Sequence, residues 1–201
     1  MVPTEIPSKG LTFVVTGTYN EATNIQALIQ EVMGHDVHLV VVDDNSPDGT
    51  AARVKELQKK YKNLHLIERP GKLGYGSAYS DGFRYAMKNN ATKIMSIDAD
   101  LSHDPKIIPE MIAKDADVVI GSRYVAGGGT SWTLYRRIVS KGANTLARLF
   151  LGIPAHDVTS GYRLYKTEVL RAIDLASLKS DGYSFLQEIL YKAHKKGFSI
   201  G

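Results

Sequence analysis

The strongest constraint on the fold is an alternation: short apolar runs of strand length take turns with stretches whose apolar residues recur at helical spacing. Leu11 to Val15 is the first run, and Ile25, Leu28, Ile29 and Val32 follow on one helical face, which Gly34 is suited to end. Val37 to Val42 is apolar almost without a break, as a strand covered on both faces should be. Thr50 is placed to cap a helix carrying Val54 and Leu57, and Leu64 to Ile67 is a third strand. A helix through Tyr79, Phe83, Ala86 and Met87 leads to a fourth strand over Lys93 to Ile97. Pro105 opens a short helix, and Asp117 to Ile120 is a fifth strand. The expectation is an α/β fold: a mainly parallel central sheet flanked by helices.

The pattern changes after residue 125. Gly127 to Gly129 is a glycine loop, a long helix is expected from about Leu134 to Leu149, Gly161 to Tyr165 reads as a strand, and Tyr183 to Lys192 as a helix. We expect one domain over residues 1–201, with a nucleotide-binding half over 1–125 and an acceptor-side half over 126–201. The absence of cysteine excludes disulfides and thiolate metal sites. The net charge of +4 permits attraction to phosphates or to an anionic membrane surface. Residues 1–10 lack the apolar core of a signal peptide, and the richest apolar stretch, Leu146 to Ile153, is broken by Arg148 and Gly152. A membrane-spanning chain is not expected.

Open sheets of this class bind ligands at the carboxyl ends of their strands, and the polar clusters fall at those ends. Asp98-Ala99-Asp100 leaves the fourth strand; carboxylates one residue apart repel, and a hard cation such as Mg²⁺ or Mn²⁺ relieves that repulsion. An ordinary acidic turn is the alternative on these residues alone. Asp43 and Asp44 end the second strand, where carboxylates can accept hydrogen bonds from ribose or a base, while Asp48-Gly49-Thr50 is turn and cap chemistry. Gly71 to Gly76 precedes a helix, and Lys72 adds a point charge for an anion. This is neither a Walker A loop nor a dinucleotide fingerprint. Arg136 and Ser140 are one helical turn apart and, with Arg123, could hold a phosphate. His103 reads as a neighbour of the acid pair and not as a ligand.

Taken in order, Thr18 to Glu21, Val42 to Thr50, Gly71 to Gly74, Asp98 to His103 and Gly121 to Tyr124 resemble the family 2 glycosyltransferases, which have a GT-A fold. Trp132, Arg136, Ser140 to Asn144 and Asp157 to Arg163 narrow the resemblance to dolichyl-phosphate mannose synthases. The resemblance implies transfer of mannose from GDP-mannose to dolichyl phosphate with inversion, catalysed by Asp100, Arg123, Arg136 and Ser140. It implies that Tyr19, Glu21, Val42 and Asp44 hold the guanosine, and that Asp98, Ala99 and Asp100 lie along the diphosphate with Lys72 and Arg123 nearby. Asp98 and Asp100 would hold Mg²⁺ or Mn²⁺, with Ser102 standing where some members have a glutamine ligand. Gly17 stands where the family usually has proline, which would loosen the nucleotide loop. Asp157 and the Gly161 to Arg163 turn would shape the sugar pocket. The family's closing segment is expected beyond Gly201, so the sequence is expected to be a fragment or to close its site differently. The implied partners are a nucleotide-sugar donor, a lipid-phosphate acceptor and the cytoplasmic face of a membrane or a protein anchored there, with no nucleic acid. The alternatives are transfer of glucose or another sugar from a UDP donor, and a non-catalytic nucleotide-sugar-binding subunit. A Rossmann dehydrogenase is disfavoured, because no glycine fingerprint follows the first strand.

Overall fold

Side chains alternate between the two faces of a strand, and here both faces are apolar. Phe13, Val15, Val40 and Val42 therefore join one core, while Val14, Leu39 and Val41 join the other. A computed structural model describes residues 10–122, 152–153, 155, 157–178, 180, 182 and 184–201. In chain order these form β1 (Thr12–Thr18), α1 (Ile25–Val32), β2 (His38–Asp43), α2 (Thr50–Gln58), β3 (Leu64–Glu68), α3 (Tyr75–Lys88) and β4 (Lys93–Ser96). A 3-10 turn (Pro105–Ile107) runs into α4 (Ile108–Ala113), then come β5 (Val118–Ile120), β6 (Arg163–Lys166), α5 (Thr167–Ile173), a second 3-10 turn (Leu175–Ser177) and α6 (Ser184–Lys195).

The strands make one sheet in the order β3-β2-β1-β4-β6-β5. β1 pairs parallel with β2 and β4, and β2 with β3. β6 is antiparallel to both neighbours, so a strand from the second half of the sequence is inserted between β4 and β5. Helices α3, α5 and α6 cover one face, and α1, α2 and α4 the other. Near the end of the chain, Ile200 bridges to Val118 in parallel. Asp117 secures this segment, accepting from the Ser199 amide at 2.9 Å, the Ser199 hydroxyl at 2.7 Å and Lys166 Nζ at 2.8 Å. Among the described residues no helix is long and apolar enough to cross a membrane.

Two local expectations are corrected. The helix expected to be capped by Thr50 has Gly49 as its cap, at φ 89°, and Thr50 is its first residue. The Thr50 hydroxyl instead donates to Asp48 at 2.6 Å and accepts the Glu21 amide at 3.0 Å, tying the β1 exit to the β2 exit. β1 continues past Val15 to Thr18, so Gly17 lies inside a strand, in register with Val42, and not in a loop. α1 ends at Val32 with Met33 as its cap, so Gly34 directly follows the cap, where a helix-ending glycine is expected. The expected helix over Leu134 to Leu149 and the Gly127 to Gly129 loop lie outside the described residues.

Candidate active site

The carboxyl ends of β1, β2 and β3 are knitted together by two aspartates. Asp43 is buried and accepts from Thr18 Oγ1 at 2.8 Å, Ser46 Oγ at 2.6 Å and Ser46 N at 2.8 Å. Asp44 is buried too, and its carboxylate organises the glycine-rich segment. Oδ1 accepts from Arg69 Nη1 at 2.7 Å, and Oδ2 accepts the amides of Leu73 and Gly74 at 3.1 Å each. Arg69 also donates to Ser77 Oγ at 2.6 Å and to Gly74 O at 3.3 Å. This bracing carries Lys72 to Tyr19, where Nζ sits 4.1 Å from the ring centroid, a cation–π contact between two sequence-nominated residues. Tyr19 is 38% exposed and presents an aromatic face to solvent.

Other nominated residues serve from beneath. Val42 is fully buried in the core under α3, so its side chain does not line an open site. Gly17 faces α3, where an added Cβ would lie 3.3 Å from Ala78 Cβ; the position needs a small residue for close packing. Glu21 is half-buried, accepts from the Asn24 side chain at 2.9 Å and, through its carbonyl, starts α1.

At the exit of β4 the chain turns sharply. Leu101 adopts φ 61°, unusual for a bulky residue, and this turn brings the Ser102 amide to Asp100 Oδ1 at 3.0 Å. Burial pushes the Asp100 carboxyl up, but hydrogen bonds from the Ser102 side chain and amide and the nearby His103 outweigh it, so its pKa lies below the ordinary value. Asp98 Oδ1 accepts from Tyr75 OH at 2.8 Å, and Tyr79 OH lies 3.3 Å away while donating to Ile97 O at 2.8 Å. His103 Nδ1 accepts the Asp98 amide at 3.2 Å, which places its ring proton on Nε2, 3.8 Å from Asp98 Oδ2. Its ring stacks on Tyr162 at 4.9 Å. Ala99 is buried, its side chain in the core on the α1 side.

The 157–163 turn closes against this exit. Gly161 O accepts from Ser96 Oγ at 2.7 Å, and an added Cβ on Gly161 would stand 3.3 Å from Asp98 Oδ2 and 3.2 Å from Tyr75 OH. Arg163 is fully buried and donates to the carbonyls of Ser160, Val158 and Leu186. Asp157, also fully buried, accepts from the Thr159 amide and hydroxyl at 3.2 and 2.9 Å. These two side chains build the turn from within. Arg123, Arg136 and Ser140 lie outside the described residues.

With acids, aromatic face and cation gathered at one end of the sheet, the comparison with known proteins decides the family. The model of glycosyl transferase family 2 matches residues 13–174. The chain belongs to this family. Polyprenol monophosphomannose synthase of Mycolicibacterium smegmatis is 41% identical over 94% of this chain and 74% of its own length. Undecaprenyl-phosphate mannosyltransferase of Micrococcus luteus is 34% identical over 91% of this chain and 77% of its own. Among solved structures, the mannosyltransferase PcManGT of Pyrobaculum calidifontis, in complex with GDP-Man and Mn²⁺, superposes with TM-score 0.63 at 18% identity. That match covers 95% of this chain and 54% of the other. Glucosyl-3-phosphoglycerate synthase of Mycobacterium tuberculosis, in complex with Mn²⁺ and UDP-glucose, gives 0.65 at 20% identity, covering 94% and 66%. These two likenesses speak to the fold alone: the mostly parallel, helix-flanked sheet is the GT-A fold.

For this family 2 glycosyltransferase a divalent cation is implied, and the donor chemistry at the β4 exit fits one. Asp98 and Asp100 offer hard carboxylate oxygens, the kind Mg²⁺ and Mn²⁺ take. Asp100 is kept ionised by its neighbours. Ser102 supports Asp100 through its amide and its side chain. Among the described residues no group of three or more His, Cys, Asp or Glu is arranged around a metal position. Sequence reasoning missed Arg69, Tyr75 and the supporting part played by Tyr79. A charged residue directly after a strand was the available signal for Arg69; for the tyrosines, which fit an amphipathic helix, there was none.

Proposed function

We propose that this glycosyltransferase moves mannose from GDP-mannose to a dolichyl-type polyprenyl phosphate, with inversion at the anomeric carbon. Mannosyl transfer to a polyprenyl phosphate is what the names of both relatives describe, and the identity of the nearer of these two carries the reading. GDP as carrier, the metal and the membrane face are the finer part of the proposal.

The nucleophile is a phosphate oxygen of the acceptor, with a second pKa near 6, so it is largely ionised at neutral pH and needs no strong general base. The chain's task is placement and charge neutralisation. Tyr19 offers a stacking face for the guanine, and Glu21 and Lys72 border the same end of the sheet. Asp44 shapes the loop that presents Lys72. Asp98 and Asp100 would hold Mg²⁺ or Mn²⁺, which when bound neutralises charge developing on the departing GDP. Ala99 contributes backbone beside the diphosphate. Arg123, Arg136 and Ser140 are assigned to the acceptor phosphate by their chemistry. Because the acceptor is a lipid, the reaction belongs at a membrane surface; we assign it to the cytoplasmic face, reached by peripheral binding or through a membrane-anchored partner.

The test is mass spectrometry of the product formed from GDP-mannose and a polyprenyl phosphate. A mannosyl-phospholipid mass is expected; no product with GDP-mannose, but one with a UDP-sugar, overturns the donor assignment. Thermal shifts with GDP and UDP in the presence of Mn²⁺ separate the donors independently, with the larger shift expected for GDP.

A further inference from the structure

Asp98 is held by more than its own backbone. Its Oδ1 accepts the Tyr75 phenol at 2.8 Å. Tyr79 OH lies farther from that oxygen, at 3.3 Å, and has a shorter bond to Ile97 O at 2.8 Å. One phenol carries one proton, so Tyr79 donates to Ile97 and Tyr75 is the principal donor to Asp98. The two rings pack at 4.6 Å, and Tyr79 is fully buried, which fixes the Tyr75 ring from below. Gly161 lies beside this bond: a Cβ there would approach Tyr75 OH to 3.2 Å and the two Asp98 oxygens to 3.3 and 3.4 Å. The carboxylate is thus held by the phenol where there is little room for a side chain at position 161. Oδ1 is committed to Tyr75, while among the described residues Oδ2 meets only the distant His103 Nε2, at 3.8 Å.

We propose that Tyr75 is a positioning residue for the cation site, its phenol holding Asp98 Oδ1 so that Oδ2 is the oxygen presented to the metal. Gly161, lacking a side chain, leaves the room this contact needs. The inference rests on the reading of Asp98 as a metal ligand and deepens it. Hydrogen bonds to the non-ligating oxygen of a carboxylate fix its orientation, and loss of such outer partners typically costs about 10- to 100-fold in metal affinity. Tyr75 acts through Asp98 and touches no substrate.

The experiment is titration calorimetry of GDP into the full chain, with Mn²⁺ and with EDTA, for the wild type and for Tyr75→Phe, Tyr79→Phe and Gly161→Ala. Phenylalanine keeps the ring and removes only the hydroxyl, and thermal melts confirm folding. The wild type should bind GDP more tightly with Mn²⁺; if it does not, the metal reading itself fails, and this inference with it. Given that control, Tyr75→Phe should weaken Mn²⁺-dependent binding about tenfold and leave binding in EDTA within twofold. Its apparent KM for Mn²⁺ should rise more than kcat falls. Gly161→Ala, which pushes into the Tyr75–Asp98 contact, should lose at least as much, and Tyr79→Phe clearly less than Tyr75→Phe. Unchanged Mn²⁺ dependence in a folded Tyr75→Phe overturns the proposal. So does an equal loss in EDTA, or a Tyr79→Phe effect as large as that of Tyr75→Phe. If Tyr75→Phe does not fold, Gly161→Ala with unchanged Mn²⁺ dependence overturns it equally.

Discussion

Replacing Arg69 by methionine removes a guanidinium that is 6% exposed and donates to Asp44 Oδ1 at 2.7 Å, Ser77 Oγ at 2.6 Å and Gly74 O at 3.3 Å. Breaking a buried ion pair from one side costs about 3 to 5 kcal/mol, because the remaining charge stays buried without its partner. Asp44 keeps the amides of Leu73 and Gly74, each at 3.1 Å, and these offset part of the penalty. Methionine also refills much of the aliphatic volume. The loss should therefore sit at the low end, about 3 kcal/mol. For a chain of this size each kcal/mol lowers Tm by about 2 to 4 °C, so the variant should melt about 6 to 12 °C below the wild type. Urea unfolding followed by circular dichroism measures the free energy, and a thermal melt the second figure. GDP affinity should fall as well, since the same contacts set the loop that carries Lys72 to Tyr19. Asp44→Asn is the companion variant: its amide nitrogen must face a donor whichever way it turns, so it should also destabilise. A folded Arg69→Met that loses less than about 1 kcal/mol would refute the claim that this pair braces the loop from Arg69 to Gly74.

Asp100→Ala should abolish turnover and most of the metal-dependent part of GDP binding; calorimetry showing unchanged Mn²⁺-dependent affinity would remove Asp100 from the metal site. Arg136→Ala should spare GDP-mannose binding and weaken use of the lipid phosphate by roughly ten- to a hundredfold, equivalent to about 1.5 to 3 kcal/mol of charged hydrogen bonding. Equal loss of donor affinity would move Arg136 to the donor side. Asp117 is held down to about 2 from 3.8, chiefly by its bond with Lys166 and by Ser199. Because its folded pKa is depressed, that stability is complete above the unfolded value and is lost as pH falls from about 4 towards 2. Asp117→Asn should flatten the acid limb of urea stability by about 1 kcal/mol and speed hydrogen exchange at Gly201, whose amide bonds Val118 O; an unchanged slope would refute the assignment.

The layered sheet was legible because its strands are mostly buried on both faces, edge strand β3 excepted, so β1 to β5 appear as apolar runs wherever helical patterns stop. β6 was also legible as a strand, but its place was not. Arg163 to Lys166 pairs antiparallel with both β4 and β5, a choice made by contacts remote in sequence. α5 escaped notice for a local reason: it follows β6 without a connecting residue and is only seven residues long, too short for a helical period to stand out. The misplaced cap at Thr50 has a similar origin, because Thr and Asp near a helix start compete for the same hydrogen bonds. Here Asp48 takes the Thr50 amide at 3.0 Å, and the Thr50 hydroxyl turns to serve Glu21.

In the site, residues expected to meet a ligand were legible as short motifs, whereas those that hold them in place were not. Asp98 and Asp100 announce themselves as two acids after an apolar run. The surroundings of Asp98 bring together Tyr75 at the start of α3, Gly161 before β6 and His103 in the following turn, and only the folded sheet gathers them at one carboxylate. Tyr75 and Tyr79 fit an amphipathic helix so well that packing accounts for them fully; their hydroxyls are the surplus that packing leaves unexplained. Asp44 shows the converse. Its place at a strand end suggested a ligand contact, and both of its oxygens also shape the loop from Arg69 to Gly74, which no motif announced. Loss of Asp44 should then disturb Lys72 and Tyr19 together, as one unit.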